Sequence, residues 1–407
     1  MMKGPKKLFS LLLIFSLLLT FVSCGGGEDT TVTGENKTQE TSENKKSDEE
    51  QIAEFITAYR AGEYDDKKYF AYEDLTEYIT LAPYEGMKYP EDDQLAETVT
   101  DEAVMDYLIR MVLNTKVTDD EYTEVTSGAL QKWDVVTVDY KSIMNGEEIA
   151  NATASGEELL LGSGTYIPGF ESGMIGKKFD KEIRLDLHFS PYYSAKDMAD
   201  QDITFFVTVK KVQRPKIPEI TVELINEMYS TSFQDMDAVK KDLKEDMDAA
   251  QASRAQASVS SYLENDLLRR STVKKYPDKE VNHYIEHFIE YYAQYVEDGS
   301  TLEKFCEEEL GMTYDEFVED ARAYAQETVG GTLMILAVCQ KENITCSDEQ
   351  MKAMIQGLFD NQNGYYANIE SFLADYVDIY GADYFELQVK SAAALEKIKE
   401  TAVKVAR

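Results

Sequence analysis

Histidine, cysteine and glycine-rich clusters are the first places to look for chemistry in this chain. His283 and His287 stand four residues apart, so on a helix both rings face the same way, and Glu286 and Glu290 lie beside them. That grouping could ligate a metal, but it lacks the His-Glu-x-x-His order of metalloproteases, and a solvated helix face is the plainer reading. Cys306, Cys339 and Cys346 match no zinc or Cys-x-x-Cys spacing. Three thiols cannot all pair within one chain; one disulfide is open to them in an oxidising compartment, and free buried thiols are the simpler alternative. Gly162-Ser163-Gly164 is a turn and not a phosphate loop, because no Lys-Ser/Thr follows it. With three histidines in 407 residues, no Ser-His-Asp arrangement stands out. Hydrolytic, metal and phosphoryl chemistry therefore find little support.

The elements that would position any site change character along the chain. Residues 51–60 read as a short helix with Ile52, Phe55 and Ile56 on one face, and residues 78–81 as a strand. Thr100 is a good N-cap for a helix whose apolar face is Val104, Met105, Leu108, Ile109 and Val112. From 133 to 212 the period becomes two: strands at 135–140, 159–161, 183–187 and 203–209, an Asn145-Gly146 hairpin turn, and one short helix around 169–174. That is a compact α+β domain. The run Arg214-Pro215-Lys216-Ile217-Pro218 forms a stiff boundary, beyond which the pattern is helical to the end. Val239, Leu243 and Met247 line one helix; Val281, Tyr284, Ile285, Phe288 and Tyr292 line another that starts after Pro277. Thr313 with Glu316 and Ser347 with Gln350 are capping boxes, and residues 333–338 are apolar all round and so belong inside. Tyr291, Tyr292, Tyr295, Phe359, Tyr365 and Tyr366 are candidates either for core or for an exposed binding surface.

The termini and the charge set the compartment and the partners. Lys3, Lys6 and Lys7 precede a fifteen-residue apolar run at 8–22, too short to span a bilayer and suited to a signal peptide. The sequence Phe21-Val22-Ser23-Cys24-Gly25 resembles a bacterial lipobox, which implies cleavage after Ser23 and acylation of Cys24 with a chain such as palmitate. Residues 24–50 are polar and low in apolar content, a disordered tether. Lys plus Arg total 41 against 77 Asp plus Glu, a net charge of -36, which excludes nucleic acid as a partner and broad adhesion to anionic lipid. The expected divisions are a signal peptide (1–23), the tether (24–50), a small N-terminal α/β segment with a linker helix (51–132), the strand-rich domain (133–213) and the helical region (214–407).

The most informative string is Leu161-Gly162-Ser163-Gly164-Thr165-Tyr166-Ile167-Pro168-Gly169-Phe170-Glu171-Ser172-Gly173-Met174-Ile175-Gly176. It follows Val138-Asp139-Tyr140 and precedes Phe189-Ser190-Pro191-Tyr192-Tyr193 and Phe205-Phe206-Val207. In that order these residues resemble an FKBP-type peptidyl-prolyl cis–trans isomerase, and the Pro-Gly-Phe-Glu version resembles the one in trigger factor. Ile217-Pro218-Glu219-Ile220-Thr221 and the helices after it resemble trigger factor's C-terminal chaperone domain; Tyr84-Glu85-Gly86 and the Thr100 helix resemble the segment leading into its isomerase domain. The ribosome-docking core of that family is not visible.

The resemblance implies an FKBP-like antiparallel half-barrel with one short helix, followed by an elongated all-α domain. It implies a pocket with Phe170 as aromatic floor, Tyr140 as one wall, Phe205 as the far wall and Tyr193 over the site. Tyr166 and Ile167 would accompany the substrate chain, the Ile167 N–H binding a substrate carbonyl, and Ile149 and Leu159 would add substrate contacts. The chain departs from the family at Ile149-Ala150, where an aromatic and then an acidic residue are usual. The expected function is prolyl isomerisation plus chaperoning of unfolded or newly exported chains with X-Pro bonds. It needs no cofactor, metal or ribosome, and involves the membrane through the lipid anchor alone. Two other readings remain: a holdase with a degenerate pocket, and a solute-binding lipoprotein.

Overall fold

The structure, a computed structural model, describes residues 46–92, 95, 98–118, 121–149, 152–297, 299–362 and 364–406. The expected signal peptide, Cys24, most of the tether and Ala150 lie outside the described residues.

The first helix, α1 (Asp48–Arg60), begins three residues before the expected start and takes 48–50 out of the tether. The reason is local: Ser47 Oγ accepts the Glu50 N–H, Glu50 accepts the Ser47 N–H, and three acidic residues sit in the first turn against the helix dipole. Two short strands follow, β1 (Ile79–Thr80) and β2 (Lys88–Pro90), then α2 (Asp101–Lys116), capped by Thr100 and burying Val104, Leu108, Val112 and Leu113. The sheet strands come next: β3 (Tyr122–Glu124), β4 (Val135–Met144), β5 (Glu147–Glu148) and β6 (Ala154–Leu160). A one-and-a-half-turn helix, α3 (Phe170–Met174), leads to β7 (Ile183–His188) and β8 (Asp202–Pro215). Then α4 (Val222–Tyr229), the 35-residue α5 (Met236–Arg270), β9 (Thr272–Val273), α6 (Asp278–Ala293), α7 (Leu302–Phe305), α8 (Tyr314–Glu342), α9 (Asp348–Asp360), α10 (Ile369–Tyr380), α11 (Tyr384–Thr401) and β10 (Val403–Val405) complete the chain.

The chain divides into two compact units, residues 1–89 with 260–404, and residues 90–259 with 405–407. The expected segment 51–132 is thus shared out: α1 joins the C-terminal helices, whereas α2 joins the sheet. The expected helical region 214–407 is likewise divided within α5.

In the second unit every strand pair is antiparallel, with β8 at the centre taking β3, β4 and β7, and β4 taking β5 and β6. Asn145 and Gly146 both have positive φ (53° and 85°), the geometry a two-residue hairpin needs. Register shifts at Thr137/Val138 and Val138/Tyr140 bend β4, as bulges do, and curve the sheet into a half-barrel. Val136, Val138, Leu159, Leu161, Phe170, Met174, Ile183, Leu185, Ile203, Phe205 and Val207 fill its inner face. A separate small core joins Leu108 of α2, Ile225 of α4 and Val239 of α5.

The first unit is helical around a core of Ile52, Phe55, Ile56, Met351, Ile355, Phe372 and Phe385. The capping boxes expected at Thr313 and Ser347 open α8 and α9, and Leu333, Met334, Ile335, Leu336 and Val338 are buried. The region past residue 214, expected to be helical throughout, is not wholly so. β8 runs to Pro215, β9 pairs with β1 through Ile79↔Val273, and β10 lies near the end. Two-residue strands carry no periodic signal; only the partner creates them.

Candidate functional site

The site is built where α3 meets the curved sheet. Pro168 and Gly169 turn the chain into α3, and Gly169 adopts φ +93° with Leu187 Cδ2 2.6 Å from where a Cβ would stand, so this turn needs glycine. The turn points Phe170, 1% exposed, into the half-barrel. Its ring lies 5.4 Å from Tyr140 of β4 and 5.0 Å from Phe205 of β8, both edge-on, and 4.9 Å from Tyr166, stacked. Tyr140 and Phe205 complete the cluster at 5.9 Å. Ile167 packs against the larger core cluster that contains Phe170 and Phe205, and so does Tyr193, whose ring sits 4.4 Å from Phe189. Six sequence-expected residues, Tyr140, Tyr166, Ile167, Phe170, Tyr193 and Phe205, therefore share one apolar cluster, with Tyr140, Tyr166, Ile167 and Tyr193 half-buried at its edge.

The other two expected residues stand differently. Leu159 is a buried core residue on β6, paired with Val136. Its side chain belongs to the packing beneath the site, because strand alternation turns it inward. Ile149 is half-buried just past β5; its N–H donates to Ser142 O (3.1 Å) and its carbonyl accepts from Thr153 Oγ1 (3.0 Å), which fixes the backbone there.

A residue that sequence reasoning quoted but did not use holds the loop together. Glu171 is 6% exposed, and its carboxylate accepts five hydrogen bonds. Oε2 takes the N–H groups of Gly162 (2.8 Å) and Gly164 (3.0 Å); Oε1 takes those of Thr165 (3.0 Å) and Tyr166 (3.1 Å) and the Ser163 hydroxyl (3.0 Å). Glycine-rich backbone of this kind can cradle an anion, and here the protein supplies its own. From the other side Arg110 of α2 donates Nη1 to Ser163 O at 2.7 Å. The Ile167 N–H donates to no acceptor among the described residues, whereas its carbonyl accepts the Phe170 N–H at 3.1 Å. Asking where each loop N–H goes would have found Glu171.

The base of the sheet is locked by an ion pair. Asp134, fully buried, accepts from Arg214 Nε (2.6 Å) and Nη2 (2.8 Å) and from the Gln131 N–H (2.8 Å). At the rim, Tyr166 donates its hydroxyl to Glu157 Oε1 at 3.1 Å. Burial first, then the Glu157 charge, pushes both the Tyr140 and Tyr166 hydroxyls above the ordinary tyrosine range, so both remain protonated donors.

The remaining sequence candidates resolve as follows. His283 is not on a solvated face: it is buried and stacks on Tyr69 at 3.9 Å, with the His287 ring 4.4 Å away. Burial lowers its pKa to about 4, and its Nε2 has no hydrogen-bond partner among the described residues. No group of three or more His, Cys, Asp or Glu among the described residues could hold a metal. Cys306, Cys339 and Cys346 are free thiols, the first two buried. Of the aromatic candidates, Tyr292 is buried against Phe288 and Phe317, and Phe359 and Tyr366 pack on Phe372. Tyr295 and Tyr365 are exposed, at 53% and 81%.

Comparison with known proteins gives matches to two parts of the chain. Residues 127–210 match the family described as FKBP-type peptidyl-prolyl cis-trans isomerase, and residues 235–400 match bacterial trigger factor protein (TF) C-terminus. The chain is 27% identical over 277 residues to trigger factor 1 of Desulfitobacterium hafniense (strain Y51), covering 67% of this chain and 62% of that one. It is 27% identical over 232 residues to trigger factor of Caldicellulosiruptor saccharolyticus, covering 56% and 52%. For trigger factor of Halalkalibacterium halodurans the figures are 24% over 323 residues, covering 79% and 72%. The chain thus spans less than two thirds of the length of the first two relatives. A solved structure described as "Promiscuous Substrate Recognition in Folding and Assembly Activities of the Trigger Factor Chaperone" covers 79% of this chain and 73% of its own, at 14% identity and a TM-score of 0.34.

Proposed function

We propose that this chain is a peptidyl-prolyl cis–trans isomerase and chaperone that assists exported proteins from the outer face of the cytoplasmic membrane, held there by a lipid on Cys24. The observation that carries the enzymatic part is the convergence of Tyr140, Tyr166, Phe170 and Phe205 beside a backbone donor, Ile167 N–H, that has no acceptor among the described residues. Rotation about an X-Pro bond faces a barrier of about 18–20 kcal/mol and breaks no bond. An apolar pocket that fits the twisted prolyl amide better than the planar one lowers that barrier without acid, base or nucleophile. Phe170 receives the prolyl ring, Tyr140 and Phe205 wall it edge-on, and the Ile167 N–H fixes the carbonyl of an accompanying residue. The chaperone part rests on the match of 235–400 to the trigger factor C-terminus, with exposed Tyr295 and Tyr365 as candidate client contacts. Clients are unfolded or newly exported polypeptides with X-Pro bonds; neither ribosome nor nucleic acid enters the reading.

The deciding experiment measures cis–trans exchange of a short X-Pro peptide by the full chain and by Phe170→Ala. Acceleration that falls at least about tenfold in the variant, the loss of one well-placed contact, supports the enzyme. No acceleration by the wild type, with aggregation of an unfolded client still suppressed, would leave a holdase. Ile149, where the family resemblance implies an aromatic, is the observation favouring that second reading. For the anchor, Cys24→Ser should yield protein that is released or unprocessed; membrane retention at mature size counts against it.

A further inference from the structure

The mouth of the pocket carries a charge that prolyl isomerisation does not call for. Glu157, on β6, holds the Tyr166 hydroxyl through Oε1 at 3.1 Å, and its charge also acts on the Tyr140 hydroxyl. It therefore stands beside the Tyr166 ring, at the edge of the pocket. The residue is exposed, and among the described residues Oε2 has no partner and the carboxylate has no ion pair.

The surroundings do not neutralise it. Asp139, on the adjoining strand β4, accepts from Ser155 Oγ (2.8 Å) and the Gly156 N–H (2.9 Å) and is paired with Lys210 at 2.7 Å, so that lysine is already committed. Residues 142–176, which supply β5, β6, the loop and α3, contain five glutamates and no Lys, Arg or His. Of those five, Glu171 is buried and spends its charge on the loop. Glu157 is the one hydrogen-bonded to a ring of the site.

We propose that Glu157 is a specificity residue, and that the site takes X-Pro segments carrying a lysine or arginine within a residue or two of the proline. This rests on the isomerase reading of the pocket. With the prolyl ring on Phe170, the flanking chain must leave across the rim, advancing roughly 3.4 Å per extended residue. A cationic side chain one or two residues away reaches the free oxygen of Glu157 while Tyr166 holds the other. An acidic residue in that place meets an uncompensated carboxylate instead.

The test uses the full chain and tetrapeptides of the type Ala-Xaa-Pro-Phe and Ala-Pro-Xaa-Phe, with Xaa as Lys, Leu or Glu. Exchange rates and binding shifts are both read by NMR. For one of the two positions, wild type should favour Lys over Glu by about tenfold in kcat/KM, the sum of one exposed attraction and one repulsion. Half-molar salt should reduce that ratio to about twofold, and Glu157→Gln should bring it within twofold. Because each ratio is taken within one protein, a partly unfolded variant does not imitate the result. Equal turnover of all peptides by wild type, or a contrast that survives Glu157→Gln, overturns the proposal while leaving the isomerase intact. If no peptide is turned over, the isomerase reading falls. Charge selection is then judged on affinity: Lys over Glu, lost in Glu157→Gln, sustains it, and a flat ranking ends it.

Discussion

Glu171→Gln is the sharpest test of how the site is held. In the native carboxylate, Oε1 serves Ser163, Thr165 and Tyr166, and Oε2 serves Gly162 and Gly164. A glutamine can keep its oxygen on the first three donors, but its NH2 then faces two backbone N–H groups. Two charge-assisted bonds disappear, each worth about 1.5–3 kcal/mol, and three others weaken from charged to neutral. The loop is partly exposed, so water recovers some of this, and the net loss comes to about 3 kcal/mol. Trp133, the sole tryptophan in the sequence, reports on it: it is 6% exposed and its N–H donates to Leu161 O at 2.7 Å, next to the loop. With a urea slope of about 2 kcal/mol/M, the Trp133 fluorescence midpoint should fall by about 1.5 M. Isomerisation in the absence of urea should fall about tenfold, since Tyr166 and Ile167 lose their positioning. A midpoint within about 0.2 M of wild type, at unchanged slope, would refute the claim that this carboxylate fastens the loop.

Gly169→Ala puts a Cβ 2.6 Å from Leu187 Cδ2 at a φ of +93°, and should cost about 2 kcal/mol by the same fluorescence assay; a loss below about 0.5 kcal/mol would mean the turn relaxes freely. His283 adds a pH dependence in the other unit. Its folded pKa is depressed from 6.5 to about 4, so between those values the unfolded chain binds a proton that the folded one does not. The stability it contributes is full above pH 6.5, drains away as pH falls toward 4, and changes no further below, about 3 kcal/mol in all. Burial pushes Glu280 and Asp383 upward and so opposes this trend, which makes the difference between wild type and His283→Gln the useful quantity. Amide exchange in α6 at pH 7 and pH 4.5 should show a weaker pH dependence in the variant; parallel dependences would exclude His283 as the source.

Much of the sheet was readable because its cues are local. Alternation marked β4, β7 and β8, Asn145-Gly146 marked the hairpin, and Thr313-x-x-Glu316 and Ser347-x-x-Gln350 marked two helix starts. Ser47-x-x-Glu50 carries the same signal, and applying it there would have placed the α1 start correctly. Other features have no local cause. β1 and β9 exist because residues some 190 positions apart meet, and His283 is buried because Tyr69 stacks on it from a distant segment. For the site, the six residues that the family resemblance implied, five aromatic and one aliphatic, fall in or against one apolar cluster. Leu159 was read as a substrate contact, although the inward alternation of β6 sends it to the core.

The hydrogen-bond accounting of the 162–167 loop explains why the site opens where it does. Phe170 and Phe205 are buried in the sheet core and Tyr140 extends from a paired strand, but Tyr166 and Ile167 sit on backbone that no sheet ladder fixes. The loop compensates by spending its donors inward. Gly162, Gly164, Thr165 and Tyr166 give their N–H groups to Glu171, and Ser163 gives its own to Leu160 O at 3.1 Å. The Ser163 carbonyl, in turn, takes Arg110 from α2. Five consecutive donors are thus committed within the protein, and the next along, Ile167 N–H, has no acceptor among the described residues. A rigid loop with one donor left over at the edge of an aromatic floor binds a carbonyl at little further cost in ordering. The glutamate that rigidifies the loop and the free N–H beside it are therefore two parts of the same arrangement, and an acceptor supplied by an extended peptide completes it.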